Sequence, residues 1–244
     1  MADPNRRPPV VAAPRAPRTL RAPGARVDLA LTLPVFLVYH LGVVFLNVRN
    51  GSDVVTGELM QIAEGNTAMY LLLTLGIGVV FAGVFAWIGR GQAFRLSKFV
   101  QIAIEGLVYA FVMRAAGSYV VGSMFAGKVA LHGFPGVVMS LGAGFYEELT
   151  YRAILFGLGS YVIRTALFSQ GTIRGAAMTW VWALVAAAAF SAMHYVGPLG
   201  DAFTMQSFVF RWVLGMVLTV IFVFRGFAAA VWAHAFYDIW VLVL

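Results

Sequence analysis

Residues 144–152 read GFYEELTYR, two glutamates and an arginine set within one long apolar stretch. A charged side chain at the bilayer centre costs roughly 2.5–3.5 kcal/mol on insertion scales, so three of them must either neutralise one another or perform chemistry. Further along stand His194 in FSAMH, and His234 and Asp238 in WAHAFYDIW. At about 100° per residue, Glu148 and Arg152 are i, i+4 neighbours on one helix face, whereas Glu147 and Arg152 diverge by about 140°. Glu148 can therefore pair with the arginine, and Glu147 is left without a partner on its own helix. A carboxylate so placed suits general-base work, with His194 and His234 available from other helices. His234 and Asp238 also stand i, i+4, so Asp238 can orient the imidazole. Phe190 has the same spacing from His194, which makes its ring a wall beside that histidine.

Each group alone reads as packing: a Glu–Arg clamp, a hydrogen-bonded membrane histidine, a phenylalanine filling core. Their coincidence on three late helices argues for function, because each uncompensated polar group costs several kcal/mol in a dry interior. The remaining polar positions carry less. His40 in the first apolar stretch and His132 near a loop read as incidental. Glu105 and Arg114 are nine residues apart, half a helical rotation out of phase, and cannot pair with each other. Arg211, near the start of its stretch, reads as snorkelling to the headgroups. Glycines and alanines at 142–144 and 186–189 fit close helix packing.

The elements that must position these groups are membrane helices. The 244-residue chain is 61% hydrophobic and only 11% charged, with mean hydropathy +0.86; soluble domains run at roughly 25% charged. Apolar stretches near the roughly 20 residues a spanning helix needs fall at 28–48, 68–88, 99–125, 135–160, 176–197, 203–224 and 226–244. The expected fold is all-α, a polytopic bundle of about seven transmembrane helices, or eight if 99–134 splits. Residues 1–26, rich in Arg and Pro, read as a disordered basic tail outside the membrane. Residues 27–244 read as one transmembrane domain, with the chemistry in 135–244, and residues 49–67 as its one long polar loop.

Lys and Arg gather on the cytoplasmic side of membrane proteins. With the N-terminus inside, twelve of them fall on that side, six in the tail, against Arg49 and Lys128 opposite. The expectation is an integral membrane protein with a cytoplasmic N-terminus. The net charge of +7 thus resides in the tail and loops, and nucleic acid is not expected as a partner. With no cysteine, disulfides, thiolate metal sites and a cysteine nucleophile are excluded. Counting helical rise from these boundaries puts Glu147 and His234 near mid-membrane but His194 close to the outer end. Their meeting requires a helix that is tilted, extended or broken.

The three motifs, E147-E148-L-T-Y-R152, F190-S-A-M-H194 and H234-A-F-Y-D238, resemble those of the CAAX prenyl protease and bacteriocin-processing (CPBP, or Abi) family of intramembrane endopeptidases, over residues 135–244. The resemblance implies a glutamate protease without cofactor or metal. In it Glu147, assisted by His194, activates a water for attack on a peptide carbonyl. His234 and Asp238 would stabilise the oxyanion, and Glu148 and Arg152 would organise the site. Asp238 stands where the best-known members carry asparagine, and a carboxylate donates only when protonated. Orienting His234 is its other available role. The implied partners are membrane lipids and a polypeptide with a membrane-associated, exported or lipid-modified end. The composition fits a bacterial cytoplasmic membrane. Two other readings use the same groups: a zinc metalloprotease, which lacks HExxH here, and a non-enzymatic transporter or scaffold.

Overall fold

The computed structural model describes residues 25–46, 48–88, 96–121, 133–167, 173–197 and 200–244. Most of the basic tail, together with His132 and Lys128, lies outside the described residues. Among the described residues every regular element is helical. The first apolar stretch forms α1 (Ala25–Leu31) and α2 (Leu33–Leu46). They break at Thr32, where Pro34 removes an N–H from the helical ladder and the Thr32 hydroxyl bonds back to Leu29 O at 2.7 Å.

The segment expected as an irregular polar loop holds a helix, α3 (Val54–Ile62), N-capped by Asp53. Its Leu59 and Ala63 pack on Tyr70 of α4 (Thr67–Ile88). An aspartate at the N-cap and one apolar face suffice to fold this short stretch onto the bundle.

Then follow α5 (Leu96–Val121), α6 (Phe134–Glu147), an eleven-residue π segment (Glu148–Leu158) and α7 (Gly159–Leu167). The last three form one helical column. After it come α8 (Ile173–Met193), α9 (Met205–Arg225) and α10 (Phe227–Leu242). By length and composition, Leu96–Tyr119, Ile173–Met193 and Met205–Arg225 can cross a membrane; Leu33–Leu46, Thr67–Val80 and Phe227–Leu242 are shorter apolar helices. Large apolar side chains such as Val79, Ile104 and Phe224 face outward, as lipid-facing surfaces do.

Helix α10 sits centrally, packed on α5, α6 and α9. Ala228, Ala229, Ala230 and Ala233 are fully buried, small side chains that let neighbouring backbones approach. At the α6 crossing, a Cβ on Gly144 would stand 2.8 Å from Val231 O and 2.8 Å from the Ala235 Cβ. Only glycine fits there, and this contact sets Glu147 and Glu148 against His234. One residue joins α9 to α10: Gly226, in the left-handed region at φ 96°. The first amides of α10 are capped from far away in sequence, Ala228 N–H donating to Asp28 Oδ1 at 2.9 Å and Phe227 N–H to Oδ2.

Candidate active site

Glu148 and Arg152 sit on the π segment, the helix form that recurs at functional sites. Both are buried, at 0% and 1% exposure. Arg152 Nη1 lies 3.0 Å from Glu148 Oε1, the i, i+4 pair that the spacing requires. The arginine charge is further accommodated by Phe190, whose ring centroid lies 4.1 Å from the guanidinium carbon. Phe190 also meets His194 edge-on, centroids 4.9 Å apart. The ring is both the wall beside the histidine and a cover for the arginine, the second a role that its spacing from His194 does not reveal.

His194 occupies the turn that ends α8. Its Nδ1 lies 2.9 Å from Phe190 O; a carbonyl only accepts, so Nδ1 carries the proton and Nε2 is the free nitrogen. His234 Nδ1 lies 2.7 Å from Glu148 Oε1 and is likewise a donor. Both rings thus spend Nδ1 on the scaffold and turn Nε2 the same way. Glu147 Oε2 lies 3.8 Å from His194 Nε2 and 3.9 Å from His234 Nε2. Asp238 Oδ2 is 3.5 Å from His234 Nε2.

All six sequence-derived residues, Glu147, Glu148, Arg152, His194, His234 and Asp238, therefore fall in one cluster. The depth difficulty resolves through the loops. Asn50, just after α2, donates to Glu147 Oε1 at 3.1 Å, so Glu147 is level with the segment 48–53 and with the turn after α8. The site lies at the end of the bundle where both connections fold inward. Exposure grades across it, from the buried Glu148 and Arg152 to side-chain values of 29% for His194 and 21% for Asp238. The opening is on that last side.

Sequence reasoning missed two parts of this neighbourhood. Asn50 gives no periodic or motif signal. His40 is fully buried and bridges Tyr70 and Tyr146, Nδ1 3.0 Å from the first hydroxyl and Nε2 2.6 Å from the second. It is not incidental: it ties α2 and α4 to the helix that carries Glu147. Arg211 bonds to Tyr195 at 3.0 Å, to Ser207 at 2.6 Å and to Asp201, where headgroup contact was expected. Glu105 pairs with Arg225, Oε2 to Nη2 2.8 Å, and Arg114 stacks on Trp240. Among the described residues, no group of three or more His, Cys, Asp or Glu side chains is disposed to hold a metal ion.

No curated protein and no solved structure matches the chain. Residues 129–240 match a family model, that of the type II CAAX prenyl endopeptidase Rce1-like proteins. The match spans all three motifs. Over that segment the chain is similar to the Rce1-like type II CAAX prenyl endopeptidases, in keeping with the family its motifs resemble.

Proposed function

We propose that this protein is an intramembrane glutamate endopeptidase in which Glu147 is the general base. The observation that carries the reading is the convergence of Glu147 Oε2, His194 Nε2 and His234 Nε2. At 3.8 and 3.9 Å the gaps are too long for direct hydrogen bonds and suit a water about 2.8 Å from each atom. Glu147 Oε2 has no hydrogen-bond partner within the protein, which leaves it free to take a proton.

In the reaction, Glu147 removes a proton from the water as its oxygen bonds to the scissile carbonyl carbon. His194 Nε2, with its lone pair toward the water, holds it in line. Negative charge developing on the carbonyl oxygen is met by the Nε2–H of His234 in its imidazolium form, whose Nδ1–H is held by Glu148 and whose charge is balanced by Glu148 and Asp238. Collapse of the tetrahedral intermediate breaks the C–N bond, and Glu147 returns its proton to the leaving amine. Low dielectric around the buried cluster strengthens each of these interactions.

The substrate class is a polypeptide end held at the membrane by its own apolar segment or by a lipid, entering beside His194 and Asp238. The bundle crosses the bilayer seven times in a bacterial cytoplasmic membrane, with its N-terminus in the cytoplasm. The test is cleavage of a farnesylated CAAX reporter peptide, and of co-expressed membrane-anchored proteins followed by mass spectrometry, by wild type and Glu147→Gln. The variant is expected to fold and to cleave nothing. Processing by Glu147→Gln at the wild-type rate would overturn the assignment, and loss of wild-type activity in chelator would favour a metal mechanism instead.

A further inference from the structure

The loop at 48–53 lies outside the matched segment 129–240, yet it reaches the carboxylate. Asn50 is buried at 7% exposure, and its Nδ2 donates to Glu147 Oε1 at 3.1 Å. Every other polar atom that could turn this amide is also engaged. Its Oδ1 accepts the Ser52 N–H at 2.8 Å, and its backbone N–H donates to the Tyr39 hydroxyl at 3.0 Å. Tyr39 in turn donates to Asp53 Oδ2 at 2.7 Å, and Asp53 Oδ1 caps α3 through Thr56 N–H at 2.9 Å.

The direction of these bonds decides the amide's orientation. Flipped, Asn50 would aim an oxygen at a carboxylate and an NH₂ at the Ser52 N–H, acceptor against acceptor and donor against donor. The unflipped amide fills one oxygen of Glu147 and leaves the other to the two imidazoles. Resting on the glutamate-base reading above, we infer that Asn50 is a positioning residue for the reaction: it selects Oε2 as the basic oxygen and holds the Glu147 carboxylate facing His194 and His234. The early helices, through Tyr39, Asp53 and α3, are then part of the catalytic apparatus as well as its lipid-facing shell.

The experiment uses the full chain in lipid vesicles, with Asn50→Ala, Asn50→Asp, Asn50→Gln, Glu147→Gln and, as a control on the same connection, Asn66→Ala, which removes an exposed cap of α4. Asn50→Asp keeps shape and the Ser52 contact but deletes the donor; Asn50→Gln keeps a donor. On the farnesylated CAAX reporter, Asn50→Ala and Asn50→Asp are expected to lower kcat by about 10–100-fold with KM within about twofold, the signature of a misaimed catalytic group. Asn50→Gln is expected to recover part of the loss, and Asn66→Ala to match wild type.

An independent readout is the infrared carboxylate stretch of Glu147, identified as the band missing from Glu147→Gln; it should shift in Asn50→Ala. An unmoved band, or a shifted band with wild-type kcat, overturns the inference. So does a fall in kcat that follows the melting temperature alone. If Glu147→Gln keeps turnover, the glutamate-base reading fails, and the infrared band still reports whether Asn50 holds that carboxylate.

Discussion

His234 of α10 donates from Nδ1 to Glu148 Oε1 across 2.7 Å, and the same oxygen receives Arg152 at 3.0 Å. One carboxylate oxygen thus serves a cation from its own helix and an imidazole from a helix 86 residues away. Glu148 holds both the buried guanidinium of its own helix and the His234 ring that faces Glu147.

Removing one member of such a buried pair strands the other. Arg152→Ala is expected to cost about 3–5 kcal/mol of stability and to abolish turnover, whereas His194→Ala, on a partly exposed turn, should abolish turnover with a melt close to wild type. Thermal melts in detergent check this, and the reverse order would count against the pairing.

Gly144→Val should disable the enzyme without touching a polar group. The added Cβ meets Val231 O and Ala235 at 2.8–2.9 Å, so α10 must move off α6 and carry His234 away from Glu147. Gly144→Val is expected to lose activity to background. Gly76→Val, on the exposed face of α4 where a Cβ meets nothing within 4 Å, is the matched control for the added side chain.

Asp28 caps α10 through Phe227 and Ala228. Asp28→Ala leaves those amides without their acceptor and is expected to destabilise by about 1–2 kcal/mol, read as a lowered melting temperature. Its effect on kcat should be smaller than that of any change at Glu147, because the cap lies at the opposite end of α10 from Asp238.

The absence of cysteine makes orientation directly measurable. Gln61→Cys and Lys98→Cys place single thiols at exposed positions on opposite sides of α4 in sequence. With a cytoplasmic N-terminus, Gln61→Cys should react with a membrane-impermeant maleimide in intact cells, and Lys98→Cys only after permeabilisation. The opposite pattern would invert the assigned topology.

The parts of this site that were readable from the chain alone are those governed by a single helix. Glu148 with Arg152, Phe190 with His194 and His234 with Asp238 are each four residues apart, and helical rotation places such pairs on one face whatever surrounds them. The all-helical class was readable for a similar reason, since long apolar stretches leave the backbone few other ways to satisfy its own hydrogen bonds in lipid. The π segment was not: it widens the turn at Glu148, and the estimated angle between Glu147 and Arg152 assumed an α-helix throughout.

Contacts between helices follow a different logic. That Glu147 meets Asn50, that Asp28 caps α10 and that His40 joins Tyr70 to Tyr146 depend on which backbones approach closely and where the connections fold back. Gly144 and the alanines of α10 permit the approach, but nothing in a run of small residues names the partner helix. Whether the three groups lie level was unreadable for the same reason, because rise counted along separate helices ignores how the column of α6, the inward-folded loop and the end of α8 are set against one another. Residue types and their spacing along each helix are written in the chain; the meeting of one carboxylate with two distant imidazoles belongs to the packing, since it sums many weak contacts that no local pattern encodes.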